Sequence, residues 1–314
     1  MKKVFIDGKA GTTGLRIFDR LSLRKDIEIM SLKEEERKDA ECRRNALNSC
    51  DIAFLCLPDD AAREAVSMVT NKNVKILDTS TAHRTDADFA YGFPELSEKM
   101  HKNIKEMNKI AVPGCHASGF IALVYPLIES GVISAETYLT CHSITGYSGG
   151  GKKMIAQYEA SDRDAELDAP REYGLSQQHK HLKEMRLITG LSRAPLFTPI
   201  VSDYYSGMVV TVPVQTRQLE KKVTPQQVWE MYSKHYEGAK LVEVKPLMSP
   251  EEQKKFFLAS NTLSGQNKLE IFVFGNDEQI LLAARLDNLG KGASGAAVQC
   301  LNIMMGIEET TGLI

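Results

Sequence analysis

KVFIDGKAGTTGLRIFDRL, residues 3–21, decides the fold. Lys3 to Asp7 is a short apolar run with two β-branched residues, and it breaks into Gly8, Gly11 and Gly14. Beyond Gly14, Leu15, Ile17, Phe18 and Leu21 recur at helical spacing. Strand, glycine turn and helix in this order leave backbone N–H groups unpaired at a helix start, where a phosphate can be received. Glycine suits that turn because a Cβ would block the approach of a pyrophosphate. The spacing is G-x-x-G-x-x-G, a variant of the usual G-x-G-x-x-G. An ordinary glycine-rich turn has the same pattern, so its meaning depends on the elements downstream in the chain.

Three further strands are expected in Asp26–Leu32 (DIEIMSL), Asp51–Leu57 (DIAFLCL) and Val74–Asp78 (VKILD), with a helical stretch from Asp59 to Val69. That alternation predicts a parallel, doubly wound sheet with crossover helices. After the second strand, where an acidic residue would hold the ribose 2′-hydroxyl of NAD, stand Ser31, Leu32 and Lys33, then Arg37 and Lys38. A hydroxyl and cations suit a 2′-phosphate and favour NADP(H). Glu34, Glu35 and Glu36 share the stretch, so a solvated, charged helix start is the competing reading.

With 314 residues the chain is about twice an ordinary domain, which predicts two domains. Its 39 Lys and Arg against 41 Asp and Glu exclude a general nucleic-acid binder, because no basic excess can neutralise a phosphate track. No apolar run approaches the roughly 18 residues of a membrane span, and the N-terminal patch is too short for a signal peptide. The expectation is a soluble, cytoplasmic protein. The cysteines (Cys42, Cys50, Cys56, Cys115, Cys141 and Cys300) lack C-x-x-C spacing, which argues against structural zinc and against a disulfide framework. We expect no metal.

Cys115 stands apart from the others. The apolar segment Lys109–Val112 leads through Pro113 and Gly114 to Cys115, and an apolar helix is expected from there to near Gly131. A thiol at a helix N-terminus meets the positive end of the dipole, which favours the nucleophilic thiolate. Cys56 and Cys141 lie in apolar strands and Cys300 in the apolar terminal helix, while Cys42 and Cys50 are expected to flank a charged helix.

Nine segments now carry a resemblance: FIDGKAGTTGL (5–15), LCLPDDAAREAV (55–66), STAHR (80–84), YGFPEL (91–96), PGCHASGFIAL (113–123), ITGYSGGGKKMIA (144–156), HKHLKEM (179–185), VFGND (273–277) and DNLGKGASGAAVQ (287–299). In this order they resemble N-acetyl-γ-glutamyl-phosphate reductase in its shorter form, over nearly the whole chain. The resemblance implies an α/β enzyme with two domains. A Rossmann-like, doubly wound NADP-binding domain would span residues 1–112 and 291–314. An α+β catalytic and dimerisation domain of the semialdehyde dehydrogenase and glyceraldehyde-3-phosphate dehydrogenase type would span 113–290. It further implies NADPH-dependent reduction of N-acetyl-γ-glutamyl phosphate through a cysteine thioester, and a homo-oligomer, dimer or tetramer.

By that resemblance Cys115 is the nucleophile, and His179, His181 and Glu184 carry over from an H-x-H-x-x-E motif. On a helix His181 and Glu184 share a face, whereas His179 and His181 do not unless the helix begins there. We therefore read His181 as the acid/base, His179 as a pocket residue and Glu184 as a substrate-side carboxylate. His116, where many members have Tyr, is a second acid/base candidate. Gly8, Gly11, Thr12, Thr13, Gly14, Ser31 and Arg37 are the expected cofactor contacts of the first domain. Ser148, Gly149, Gly150, Asn288 and Gly290 are those of the second, Lys291 is one where the chain returns to the first, and Lys152 and Lys153 are anion-binding cations for the substrate. Arg84, Asp59 and Asp60 are expected along the cofactor cleft. Many members have an arginine where Tyr204, Tyr205 and Ser206 stand, so the substrate carboxylate needs another cation: Lys152, Lys153 or Arg193. The rival readings are aspartate-semialdehyde dehydrogenase or another acyl-phosphate reductase, and a redox-sensing NADP-binding protein without turnover.

Overall fold

The computed structural model describes residues 1–314, which fold as two compact units, Met1–Gly114 with Ala293–Ile314, and Cys115–Gly292. The first unit runs β1 (Lys2–Asp7), α1 (Thr12–Ser22), β2 (Ile27–Met30), α2 (Ala40–Ser49), β3 (Ile52–Leu55), α3 (Asp59–Met68), β4 (Lys75–Asp78), β5 (Ala90–Tyr91), α4 (Glu98–Glu106) and β6 (Lys109–Ala111). Its six strands are all parallel, in the order β2-β1-β3-β4-β6-β5. Continuous burial, without alternation, marks β3 and the last four residues of β1. Strands covered on both faces have this pattern. The order reverses between β1 and β3, and a parallel sheet opens a ligand crevice at such a switch point.

The second unit holds α5 (Cys115–Glu129), β7 (Thr140–Gly146), α6 (Gly151–Glu159), β8 (Arg171–Glu172), α7 (His181–Thr189), β9 (Leu196–Ser202), β10 (Met208–Gln215), α8 (Pro225–His235), β11 (Val242–Val244), α9 (Pro250–Lys255), β12 (Leu269–Gly275) and β13 (Gln279–Leu286). A mixed sheet of seven strands orders them β11-β12-β13-β10-β7-β9-β8, with β7–β9 and β11–β12 parallel and the rest antiparallel. Eleven of the 15 residues of α5 are buried. Such a helix, apolar on all sides, belongs in an interior. Gly119 brings α5 onto the sheet, for a Cβ there would lie 2.5 Å from Val210. The opposite sheet face carries the half-buried His142, Ile144 and Thr211 and the exposed Leu281.

The chain then turns through Gly290–Ser294 into α10 (Gly295–Met305), which belongs to the first unit. Lys75 donates to the Met304 carbonyl at 2.8 Å, and Arg24 to Asn302 Oδ1 at 2.6 Å. Cations are favourable at that end of a helix.

Candidate active site

In the first unit the glycine turn comes directly after β1. Gly8 has φ +82°, and a Cβ there would lie 2.2 Å from the Cys56 carbonyl oxygen. Gly14 touches the Gly8 carbonyl at 2.6 Å in the same sense, whereas Gly11 has only ordinary contacts, the nearest at 3.4 Å. Two of the three glycines are thus required by the turn itself, and the third leaves the start of α1 open. Gly11 is the N-cap of α1 and offers no side-chain cap, so the first N–H groups of the helix stay available. Thr12 Oγ1 is buried without a partner, and Thr13 is half-buried beside it. An orphaned hydroxyl and an uncapped helix start fit a pyrophosphate.

Beside this turn a cavity of about 480 Å³ is lined by Gly8, Lys9, Ser31, Arg37, Lys38 and Arg43, among others. Ser31 comes directly after β2 and Arg37 lies in a short turn, both exposed. Arg43 is committed elsewhere. It donates through Nε and Nη2 to Asp7 Oδ2 at 3.1 and 3.0 Å and through Nη1 to Glu64 at 3.1 Å. Burial pushes the Asp7 carboxyl up, and Arg43 opposes that rise. Nothing local in the sequence announced this pair.

Cys115 is the first residue of α5 and is half-buried. Burial holds three of the other thiols in the protonated form: Cys50, at the end of α2, is pushed up to about 11, Cys56 to about 12 and Cys141 further still. Cys42 corrects the sequence reading, because it lies inside α2 and not beside it; Asp39 caps that helix through the Cys42 N–H and raises its thiol.

Around the start of α5 three imidazoles gather. His181 opens α7, and His179 sits in the turn before it, with the two ring centroids 4.7 Å apart. The helix begins at His181, so the spacing that would divide the two over different faces does not apply. His116 lies 5.7 Å from His179 and 5.6 Å from His181. The His181 N–H donates to His179 Nδ1 at 3.2 Å, which fixes the turn. His181 and Glu184 are both buried on one face of α7. Both nitrogens of His116 are engaged, Nδ1 with Ser143 Oγ and Nε2 with the Tyr173 hydroxyl, each at 2.7 Å. Burial, with the charge of His179 adding to it, pushes His116 down to about 3. At neutral pH it is an uncharged, fully engaged ring, poorly suited to gain and lose protons. Tyr173 and Ser143 were not legible; they stand 57 and 27 residues from His116 in the chain.

The glycine-rich loop after β7 forms a tight turn, Tyr147–Gly150, and then α6. Ser148 is buried and accepts from Asn288 Nδ2 at 3.0 Å, while Asn288 Oδ1 accepts from the Gly207 N–H at 2.9 Å. The Asn288 amide therefore ties three segments of its own unit together. Gly290 has no room for a Cβ, which would meet the Gln266 carbonyl oxygen at 2.0 Å, and Lys291 is buried at 2 % exposure. Gly149 and Gly150 are exposed, as are Lys152 and Lys153 in the first turn of α6. Arg193 is not with them: it pairs with Glu136 at 2.9 Å before the far end of β9. Of the expected cleft residues, Asp59 accepts from the Thr81 N–H at 2.9 Å, and Asp60 is fully exposed. Arg84 clamps the ends of β4 and β6, donating to the Thr79 and Val112 carbonyls at 3.1 and 2.9 Å.

Residues 3–104 match the semialdehyde dehydrogenase NAD-binding domain, and residues 115–288 match the semialdehyde dehydrogenase dimerisation domain. Aspartate semialdehyde dehydrogenase from Francisella tularensis superposes with a TM-score of 0.73 at 16% identity, over 97% of this chain and 100% of that one. The corresponding enzyme II from Vibrio cholerae gives 0.71 at 16%, over 98% of both chains. At such identity the likeness is one of fold. Sequence relatives are much nearer. N-acetyl-gamma-glutamyl-phosphate reductase 2 of a Nostoc species is 46% identical over 318 residues, 99% of each chain. The reductase of Sinorhizobium medicae is 45% identical over 307 residues, 96% of this chain and 98% of its own. The glycine turn, the cysteine at a helix start and the paired histidines therefore stand in a chain that belongs to the N-acetyl-γ-glutamyl-phosphate reductase family.

Proposed function

We propose that this protein reduces N-acetyl-γ-glutamyl phosphate to N-acetylglutamate 5-semialdehyde with NADPH, releasing phosphate, as a step of arginine biosynthesis. The observation that carries the reading is Cys115 at the start of a buried helix, with His179 and His181 gathered beside that start. The Cys115 thiolate attacks the acyl carbon; the C–O bond to phosphate breaks and a thioester forms. The open start of α1 and the cavity beside Ser31 and Arg37 would hold NADPH, which when bound would supply the hydride that reduces the thioester. The resulting tetrahedral oxygen sits on the carbon bound to Cys115 Sγ. His181 gives and takes its proton, and collapse of the C–S bond leaves the aldehyde and restores the thiolate. His179 and Glu184 shape the pocket, and Lys152 and Lys153 bring positive charge to an anionic substrate.

The seven-stranded sheet, with one face only partly covered in a unit that matches a dimerisation domain, supports a homo-oligomer built on that face. A thiolate mechanism needs a reducing compartment, and we assign the enzyme to the cytoplasm. No helix is long and apolar enough to cross a membrane.

The test runs the reaction backwards. N-acetylglutamate semialdehyde, phosphate and NADP+ yield NADPH, arsenate replaces phosphate, and Cys115→Ser abolishes the signal by about a thousandfold or more. Turnover of aspartate semialdehyde in preference to the acetylated substrate would instead identify the rival enzyme. Dinucleotide binding with no turnover of any aldehyde would leave a binding protein.

A further inference from the structure

Gln177 is the one non-glycine residue of the chain with a positive φ, +56°. A side chain in that left-handed conformation is strained, and the strain persists only where surrounding contacts over-determine it. The side-chain amide supplies such contacts. Nε2 donates to the Phe197 carbonyl at 2.7 Å, and Oε1 accepts from the Phe197 N–H at 2.9 Å. The reason lies at the edge of the sheet. β8 pairs with β9 for two residues, and Tyr173 extends the pairing by donating its N–H to the Pro199 carbonyl at 3.0 Å. The main chain then leaves β9 at Gly174, φ +64°, and Gln177 closes the turn by donating its N–H to the Gly174 carbonyl at 3.0 Å. Phe197 is buried, and without the amide its two backbone groups on this edge would have no strand to meet. One amide, with a donor and an acceptor, satisfies both as a strand residue would.

We propose that Gln177 is a positioning residue for His179 and His181, its amide standing in for a strand and holding the histidine turn against β9. The inference rests on the reading of His181 as the acid/base. Printed contacts carry the hold from the amide to the imidazoles. The ring of Phe197, the residue that the amide grips, packs on His179 with centroids 5.1 Å apart and on His116 at 5.3 Å. His179 Nδ1 accepts from the His181 N–H at 3.2 Å, and the His179 carbonyl accepts from the Leu182 N–H at 3.0 Å. α7 therefore starts where His179 is held. A single residue separates Gln177 from His179, which leaves the turn little slack. Gln177 acts through these contacts and not on the substrate.

Two variants separate the amide from the backbone. Gln177→Gly removes the amide and accepts the positive φ without strain, whereas Gln177→Ala removes the amide and keeps the strain. Both should lower kcat of the reverse reaction by about tenfold or more, with the Kd for NADP+ unchanged. The thermal midpoint should fall further in Gln177→Ala than in Gln177→Gly, so activity follows the amide and stability follows the backbone. In both variants diethyl pyrocarbonate should modify His179 and His181 about threefold faster or more, read on their peptides by mass spectrometry, while His101 on α4 keeps its rate. A wild-type kcat in Gln177→Gly overturns the positioning role, and so does a kcat that follows the thermal midpoint from one variant to the other. Labelling needs no substrate. Should the wild type fail to turn over acetylglutamate semialdehyde, the substrate reading fails and the labelling decides: faster modification in Gln177→Gly keeps the positioning role, and an unchanged rate ends it.

Discussion

Gly8 and Gly11 stand three residues apart in one turn, yet an added methyl group meets them differently. At Gly8 it meets both a positive φ and a backbone oxygen 2.2 Å away; at Gly11 the nearest atom is at 3.4 Å. Gly8→Ala should therefore cost at least about 2 kcal/mol and lower the thermal midpoint by several degrees, whether or not dinucleotide is bound. Gly11→Ala should leave that midpoint in place and raise the KM for NADPH roughly tenfold, since its methyl intrudes only on the phosphate approach. Unfolding scans with steady-state kinetics on both variants separate the two roles, and an unchanged KM in Gly11→Ala refutes the functional one. Such turns are legible because their demand is local. The Asp7–Arg43 pair and the hydrogen bonds that join Ser143, His116 and Tyr173 are not, because their members come from distant segments and no spacing rule links them.

Elements were legible where one periodicity ruled. β2, β3 and β4 lie inside the apolar runs that predict them, shortened at the ends, β1 starts one residue before its run, the two-residue β5 had no run of its own, and α5 arises from its unbroken apolar stretch. By contrast β9 has Pro199 at its middle, a residue that argues against an internal strand, yet β7 and β8 flank it on both sides. α4 buries Ile104 alone, with Met100 half-buried one turn before it, a stripe too narrow to read from spacing. α8 did carry a signal, the Thr224 and Gln227 capping box with Pro225, which start-signal reasoning could have used. α6 poses an element-scale test. Its first turn holds Lys152 and Lys153, positive side chains at the positive end of a helix dipole, an arrangement unfavourable to the helix itself. Replacing both with Gln should raise stability by a few tenths of a kcal/mol, or leave it level, while the KM for the acyl phosphate rises about tenfold or more. A variant that loses stability and keeps its KM would make the lysines structural.

At the scale of the molecule the sequence reading reached the doubly wound sheet but left open which face of the second sheet keeps apolar side chains in the open. The reason is visible in β13. Ile280, Leu281 and Leu282 are equally apolar, yet Ile280 and Leu282 are 3 % and 1 % exposed and Leu281 is 39 % exposed. An apolar run of that kind reads as a strand buried on both sides; one exposed leucine is ordinary, but Leu281 lies beside the exposed Phe256 and the half-buried Phe274, and a contiguous apolar patch is what another protein can cover. Leu281 stands where two surface hollows meet, of about 400 and 630 Å³. Phe256, Phe274, Val209 and Ala283 line one and Tyr138 and Pro213 line the other. If a second copy covers this face, Leu281→Lys buries an unpaired charge in the assembly while remaining harmless in an isolated subunit, where the side chain reaches water. Sedimentation at micromolar concentration should show an oligomer for the wild type and a folded monomer for the variant, with its far-ultraviolet circular dichroism unchanged. A wild-type monomer, or a variant that assembles as the wild type does, excludes this face as the contact between subunits.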